Sequence, residues 1–193
     1  MSNQTWLVIG LGNPGPDYAN NRHNVGQMVL DVLANRISAN FKSHKSNANV
    51  AEGRIAMGGP KVILAKPGTY MNTSGGPTSS LMKFYDIDVN HVIVVHDELD
   101  IDAGTVKIKQ GGGHAGHNGL RDIISAAGSN DFVRVRVGIG RPPGRQDAAD
   151  FVLKDFSSTE RKDLPLLLEL SADAVEAIVT KGPLDAMNSV NAK

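Results

Sequence analysis

The feature that most constrains the fold is a short apolar run near the start of the chain, Trp6–Gly10, which breaks into a glycine-rich turn at 11–15. An apolar run that ends this abruptly is typical of a buried strand followed by a tight loop. Apolar side chains then recur at helical spacing, namely Val25, Met28, Val29, Val32 and Leu33. This spacing predicts a helix that contains His23 near its start and runs to about Ile37. A strand, a turn and a helix in this order indicate an α/β fold.

Further strands follow from the same patterns. Residues 61–65 and 91–97 are apolar runs, and the second is apolar enough to be expected at the centre of the sheet. Residues 105–110 and 133–139 alternate apolar and polar side chains, as strands with one solvated face do. The polar segment 41–49 is expected to be an exposed loop, and 50–57 an edge strand.

Helix starts are also visible. Asn72, Thr73 or Ser74 can cap a helix that continues through Phe84, and a second helix opens at 117–122. Residues 157–160 form a Ser-Ser-Thr-Glu capping box, which predicts a long helix to about Lys181. The Pro-Pro-Gly segment at 140–145 is expected to be an irregular loop on the substrate side. The patterns together predict one α/β domain over 1–193, with a central twisted mixed β-sheet flanked by helices.

Composition narrows the functional class. The chain has 193 residues, with 20 Lys and Arg balanced by 20 Asp and Glu. A net charge of zero argues against coating nucleic acid by long-range attraction, although a local basic patch stays possible. The absence of cysteine excludes thiolate catalysis and Cys-ligated zinc, and it suits a reducing cytoplasm. No basic start or long apolar run is present, so we expect a cytoplasmic protein without a membrane segment.

The glycines of the first turn allow a different interpretation. Gly10-x-Gly12-x-x-Gly15 matches the dinucleotide-binding fingerprint and keeps a nucleotide-dependent oxidoreductase as an alternative. Pro14 removes a backbone donor that a pyrophosphate would use, and residues 16–21 delay the helix. No acidic residue ends an obvious second strand to bind a ribose. The fingerprint alone is therefore a weak signal.

Polar side chains that follow strands, together with His23 at a loop–helix junction, form the strongest candidate site. Since ligands of open α/β sheets bind outside the carboxyl ends of the strands, we expect five of these side chains to converge there. They are Asn13, His23, Asn72, Asp97 and Asn118. Each alone is more simply a turn or cap residue. Together they offer one general base, one carboxylate to orient it and several amides for a carbonyl or an oxyanion. This set suits attack of water on an activated acyl group.

Other chemistries fit less well. Gly-x-Ser-x-Gly is absent, so a serine nucleophile is not indicated. His114 and His117 lie three residues apart, but HExxH is missing and no carboxylate stands at ligand spacing, so we predict no metal. Lys107 and Lys109 share one strand face, as do Arg134 and Arg136. These basic pairs suit phosphate contacts, or they are merely the solvated face of a sheet, and a non-enzymatic RNA-binding module remains a third possibility.

These motifs, in this order, resemble the bacterial-type peptidyl-tRNA hydrolases over nearly the whole chain. The resemblance rests on Gly12-Asn13-Pro14-Gly15 with Tyr18, Arg22-His23-Asn24-Val25-Gly26, Pro67-x-Thr69-Tyr70-Met71-Asn72-x-Ser74-Gly75, His96-Asp97-Glu98-Leu99-Asp100 and Gly113-His114-x-Gly116-His117-Asn118-Gly119-Leu120. One departure is Asn21, where the family usually has Ser or Thr. Both types can cap a helix, so we expect little consequence.

The resemblance implies cleavage of the ester between a peptide and the 3′-end of tRNA, which recycles tRNA from aborted translation. It implies that His23 activates water, that Asp97 is its partner and that Asn13 holds substrate or water. Substrate-binding residues would be Asn72 and Asn118 at the peptide main chain, with Met71 lining the site and Tyr18 at its wall. Lys109 and Arg136 match the family's tRNA-phosphate pair, with Lys107 beside them. The family works as a monomer and without a cofactor.

Overall fold

The computed structural model describes residues 4–192; Met1–Asn3, part of the chain start considered above, and Lys193 lie outside this range. The strands are β1 (Trp6–Gly10), β2 (Lys42–His44), β3 (Ala48–Arg54), β4 (Lys61–Pro67), β5 (Val92–Glu98), β6 (Val106–Gln110) and β7 (Val133–Gly138). The α-helices are α1 (Val25–Arg36), α2 (Gly75–Phe84), α3 (Asn118–Ala127), α4 (Ala148–Val152), α5 (Ser158–Lys181) and α6 (Pro183–Val190). Short 3-10 turns occupy Arg22–Asn24, Met71–Thr73 and Val89–His91.

All seven strands belong to one mixed sheet, in the order β2-β3-β4-β1-β5-β7-β6. The central strands β4, β1, β5 and β7 run parallel, whereas β2, β3 and β6 join as antiparallel strands. The predicted α/β class with a mixed sheet is therefore confirmed. Strand β1 holds the middle position, and β5 lies next to it.

Both faces of the sheet are covered, which explains why β1 and the first four residues of β5 are apolar. Alternate residues such as Val8 and Ile93 point to α1 and α5, while Leu7 and Val94 belong to the cluster under α2 and α3. The apolar parts of these strands lie in the two cores, and the polar residues of β5 come at its carboxyl end. That end carries the candidate site. Among residues 4–192, no helix is long and apolar enough to cross a membrane.

The loop expected over 41–49 and the edge position expected for the strand over 50–57 are wrong, although most of that strand is present in β3. Residues 42–44 form a strand that pairs with Ala48–Val50, so the expected loop is a β-hairpin. Strand β3 consequently lies between β2 and β4 rather than at the edge. Because β2 is exposed on both faces, its polar composition is the same as that of a loop, and only pairing distinguishes them.

Helix caps were predicted in part. The capping box of Ser157 and Glu160 is present, with Glu160 N–H donating to Ser157 Oγ at 3.1 Å. Neither Asn72, Thr73 nor Ser74 caps α2 through its side chain; instead Gly75 N–H donates to Asp122 Oδ2 at 2.7 Å. The cap of α2 therefore comes from α3, a contact that no local pattern specifies.

Helix α6 was not predicted and protects the outer edge of β6. Asn191 Nδ2 donates to Ile108 O, and Ile108 N–H donates to Asn191 Oδ1, both at 2.8 Å. The two backbone groups that an edge strand would expose are thus satisfied by one amide side chain.

Two glycines, Gly10 at the end of β1 and Gly26 in α1, allow α1 to pack closely on the sheet. A Cβ on Gly26 would lie 2.2 Å from Val95 O, and one on Gly10 would lie 2.7 Å from Gly26 O. These contacts leave no room for a side chain, because the obstacles are backbone atoms. They give a structural reason for the first glycine of the dinucleotide-like fingerprint without any phosphate.

We expect Gly26→Ala to lower the free energy of unfolding by about 3 kcal/mol, because α1 must move off β5 to relieve the clash. Gly76→Ala in α2 is the matched control, since a Cβ there meets nothing within 4 Å. Alanine at an open helix position should raise stability by about 0.5–1 kcal/mol. Urea denaturation of both variants checks the prediction, and similar midpoints would contradict it.

Candidate active site

A cavity of about 610 Å³ opens at the carboxyl edge of the parallel strands. It is lined by Asn13, His23, Tyr70, Met71, Asn72, Asp97–Asp100, Ala115–Asn118, Arg141, Ala148, Ala149, Val152 and Leu153. The five residues expected to converge are all in this wall, together with Met71. One solvent-open cavity therefore brings together polar groups that are far apart in sequence.

Their routes to the cavity differ from the expectation in one respect. Asn13 follows β1, Asn72 follows β4 and Asp97 lies in β5, as the topology predicted. Strand β6, however, is antiparallel, and its last residue Gln110 pairs with Val133 at the start of β7. The glycine-rich segment 111–117 must therefore run back along the sheet before it reaches Asn118. Gly111, Gly112 and Gly116 have positive φ on this path, a conformation that glycine adopts at little cost.

Asp97 is the centre of the site and accepts hydrogen bonds from two histidines. Its Oδ2 lies 2.8 Å from His23 Nδ1, and its Oδ1 lies 2.9 Å from His117 Nε2. The carboxylate is almost fully buried, with only 3% of the residue exposed. The pairing of Asp97 with His23 was expected from the sequence, whereas His117 as the second partner of Asp97 was not.

The surroundings determine where the imidazole protons lie. His117 Nδ1 accepts from the backbone N–H groups of Gly119 and Leu120 and caps α3, so the ring proton of His117 is on Nε2. Asp97 Oδ2 likewise places a proton on His23 Nδ1. The other nitrogen of His23, Nε2, is then an unprotonated base. His117 could have been found as the residue directly before a predicted helix start, although its bond to Asp97 could not.

The pKa values of the central pair move apart. Burial alone would lower the pKa of His23, but the charge and hydrogen bond of Asp97 outweigh it and raise that pKa above 6.5. Burial alone would raise the pKa of Asp97, but His23 and His117 hold it well below the usual range. The 3-10 turn at Arg22–Asn24 thus places His23 against a carboxylate, which favours the imidazolium form.

A third histidine lies beneath this pair and stays neutral. His96 is 1% exposed, and burial lowers its pKa to about 3. Its Nδ1 donates to the Asp97 carbonyl oxygen at 2.7 Å, and its ring contacts His117 edge-on at 5.0 Å. Within residues 4–192 its Nε2 has no hydrogen-bond partner. His96 thus supports the strand end that carries Asp97.

Asn13 is held rigidly by its neighbours. Asn24 Nδ2 donates to Asn13 O and Asn24 Oδ1 accepts from Asn13 N–H, both at 2.9 Å. Asn13 Oδ1 accepts from Met71 N–H at 2.6 Å, so the NH₂ end of its side chain is available to a ligand. Asn72 and Asn118 are exposed at the cavity, and neither caps a helix with its side chain.

Tyr18 lies farther out than expected. It is absent from the cavity wall and instead meets Tyr70 edge-on, with ring centroids 6.2 Å apart. Tyr70, which sequence analysis did not single out as a site residue, provides the aromatic surface of the wall. Arg141 in the 140–145 loop is a further lining residue, and its Nη2 lies 2.7 Å from Asp100 Oδ1.

The basic residues of β6 and β7 lie outside the cavity and differ in exposure and in hydrogen bonding. Lys107 Nζ donates to Asn191 O at 2.8 Å, and Arg134 is buried, with Nη2 donating to Gly112 O at 2.5 Å. Arg134 therefore supports the glycine segment. Lys109 is exposed beside Gly112, and Arg136 is half-buried, opposite Lys107 in the strand register.

The cluster of His23, Asp97 and His117 also has the composition of a metal site. One ligand atom from each lies within 4.8 Å of the others. The two N···O distances of 2.8 and 2.9 Å are hydrogen-bond distances, so protons occupy the positions that a metal would need. The sequence-based prediction of no metal and no cofactor stays a prediction.

The comparisons with known proteins identify the family of the chain. The family model of peptidyl-tRNA hydrolase matches residues 7–193. The chain belongs to the peptidyl-tRNA hydrolase family. A peptidyl-tRNA hydrolase of Arthrobacter sp. (strain FB24) is 66% identical over 178 residues, covering 92% of each chain. One from Paenarthrobacter aurescens (strain TC1) is 61% identical over 182 residues and 94% of each chain.

Solved structures give the same result for the fold. The crystal structure of peptidyl-tRNA hydrolase from Acinetobacter baumannii has a TM-score of 0.89 and 37% identity, covering 100% of this chain and 96% of that one. A peptidyl-tRNA hydrolase in complex with N-propanol has a TM-score of 0.90 and 36% identity, covering 100% and 97%. The expected family, fold and hydrolase class are confirmed, and the oxidoreductase alternative has no support.

Proposed function

We propose that this chain hydrolyses the ester between the peptide and the 3′-terminal ribose of peptidyl-tRNA with water activated by His23, and so recycles tRNA from aborted translation. The observation that carries the mechanism is the Asp97 carboxylate fixing the His23 tautomer inside an open cavity. In this role Asp97 also stabilises the imidazolium that forms when His23 takes up a proton.

The proposed reaction needs only water and the side chains of this site. His23 Nε2 accepts a proton from water while the water oxygen bonds to the ester carbonyl carbon, whose oxygen becomes an oxyanion. When this intermediate collapses, the C–O bond to the ribose breaks and the leaving ribose oxygen takes the proton from His23. The products are a peptide carboxylic acid and tRNA with a free terminal hydroxyl.

The amides around His23 suit the substrate's polar groups. The NH₂ of Asn13 can donate to the developing oxyanion or the attacking water, since its Oδ1 is held by Met71 N–H. Asn72 and Asn118 are exposed at the cavity and can bind the peptide main chain, with Met71 between them and the protein core. We propose in addition that the whole chain is one catalytic domain that acts as a monomer in the cytoplasm.

A comparison of N-blocked aminoacyl-tRNA with free aminoacyl-tRNA tests the proposed activity. Cleavage of the blocked form alone is the expected result, because it carries the peptide-like carbonyl that the asparagines would bind. Equal cleavage of both, or saturable RNA binding without hydrolysis, would contradict the proposal.

For the tRNA itself we propose Lys109 and Arg136, with Lys107 beside them. Lys109 is exposed, and the arginine is half-buried in the adjacent strand. Lys107 is the weakest candidate, because its ammonium must first leave the Asn191 carbonyl oxygen.

We expect Lys109→Ala to raise KM roughly tenfold, to leave kcat nearly unchanged and to reduce the salt slope of binding by about 1, as loss of one phosphate contact does. Lys61→Ala is the control, because Lys61 lies at the amino end of β4, outside the cavity wall, and pairs with Glu52. Equal salt slopes for both variants would contradict the assignment. Steady-state kinetics and tRNA binding between about 50 and 200 mM salt give the measurement.

A further inference from the structure

Arg22, the residue before His23, is buried and holds segments far away in sequence. It is 6% exposed, although an unpaired charge would be strongly disfavoured there. Its guanidinium lies 3.8 Å from the centroid of the Phe151 ring. The Nε and Nη2 groups donate to the two oxygens of Glu160 at 3.2 and 2.6 Å. The arginine therefore joins the His23 turn to the start of α5.

The same guanidinium also holds the end of α4. Its Nη1 donates to Phe151 O at 2.9 Å and to Lys154 O at 3.4 Å, and Arg22 N–H donates to Lys154 O at 3.0 Å. Beside it, Asn21 Nδ2 donates to Asp155 Oδ1 at 2.8 Å. A positive group at the last carbonyls of a helix is favourable, because those oxygens have no partner within the helix.

Helix α4 depends on these contacts. It has 5 residues, too few to be stable by itself. Ala148, Ala149 and Val152 of α4 form one wall of the cavity, whereas Phe151 between them is turned toward Arg22. The side of α4 opposite the cavity is thus fixed by the residue next to the proposed base.

Taken together, the geometry points to Arg22 as a positioning residue. Through its contacts with Glu160 and Phe151, Arg22 fixes the α4 wall of the cavity relative to His23. The α4 wall and the base then contact the end of the same bound peptidyl-tRNA at a fixed spacing. Arg22 itself is absent from the cavity wall and touches no reacting group. The inference rests on the proposed function, since it takes the cavity as the substrate site. A merely structural Arg22 would lower stability without changing substrate affinity.

The test compares Arg22→Gln, Arg22→Lys and Glu160→Gln in the full chain. Arg22→Gln should raise KM for N-blocked aminoacyl-tRNA by about tenfold with a smaller loss of kcat, since wall and base lose their fixed spacing. Amide hydrogen exchange over 147–156 should quicken by a similar factor, while β5 stays unchanged. Arg22→Lys keeps the charge but not the paired geometry, so its KM should be intermediate.

Arg36→Gln is the matched control. Arg36 also clamps α5 to the rest of the chain, through Glu169, Asp173 and Glu176, but it lies away from the cavity. It should lower the melting temperature and leave KM unchanged. If Arg22→Gln behaves like Arg36→Gln in KM and in exchange over 147–156, the positioning role is wrong.

Two further readouts keep the outcome clear. If Arg22→Gln does not fold, Glu160→Gln tests the positioning role instead. It weakens the Arg22–Glu160 ion pair from a partly exposed position, and it should also raise KM. An unchanged KM for a folded Glu160→Gln would then overturn the inference. His23→Ala should leave exchange over 147–156 unchanged, so failure of the proposed chemistry is distinguishable from failure of the wall contact.

Discussion

His23→Ala should reduce kcat for peptidyl-tRNA by about 10²–10⁴-fold, the usual contribution of a general base, while substrate binding stays nearly unchanged. The reason is that Nε2 is the unprotonated nitrogen of a ring whose Nδ1 is held by Asp97 at 2.8 Å. The amides and the α4 wall remain, so the substrate still has its contacts. Single-turnover kinetics with N-blocked aminoacyl-tRNA, together with a binding measurement, separate the two quantities.

The control for this variant is His91→Ala. His91 lies before β5, at the opposite edge of the sheet, with its ring 4.7 Å from that of Trp6. This substitution should leave kcat unchanged. A near-normal rate for His23→Ala would show that another group activates the water and that the mechanism proposed for this site is wrong.

Asp97→Asn should have an effect of similar size, lowering kcat by about 10²–10⁴-fold with the fold retained. An asparagine amide offers one acceptor and one donor group, whereas His23 and His117 both present N–H groups to the carboxylate. One imidazole must therefore change its tautomer or lose its partner. A His23 ring with its proton on Nε2 cannot accept one from water.

Asp97→Asn should also change the pH dependence of kcat/KM. The neutral form of His23 is active, so kcat/KM falls as the pH decreases through the pKa of His23, which Asp97 raises above 6.5. Without the carboxylate only burial remains, and burial lowers that pKa. The acid limb of Asp97→Asn should accordingly move to lower pH, on a much reduced plateau.

Profiles of kcat/KM between about pH 5 and 9 measure this shift. Asp88→Asn is the control, because Asp88 is exposed at the opposite edge of the sheet. It should reproduce the wild-type acid limb. An unchanged acid limb in Asp97→Asn would mean that the carboxylate does not control the ionisation of His23.

Much of the fold could be predicted from local pattern. Strand β1, helix α1 and the capping box of α5 have apolar spacing or cap residues that depend on near neighbours. Strand β2 and helix α6 could not be predicted. A three-residue polar edge strand looks like a loop, and α6 is fixed by the bonds between Asn191 and Ile108.

The candidate site divides in the same way. Asn13, Asn72 and Asp97 were expected at one edge because parallel strands end together, and the cavity contains all three. His117 as a partner of Asp97 required the return of the glycine segment along an antiparallel strand, which no periodicity reveals. Tyr18 was expected at the wall from resemblance, but Tyr70 lines the cavity and Tyr18 contacts the ring of Tyr70.

The sequence by itself determined the α/β class, the motifs that resemble the family and the choice of His23 with Asp97. It could do so because apolar periodicity and motif spacing are properties of short stretches of chain. Only the tertiary structure decided that Asp97 serves two imidazoles, that the pKa of His23 is raised and that Arg22 joins His23 to α4. Those properties depend on distances between segments up to 138 residues apart, and on burial that exists only when the segments pack together.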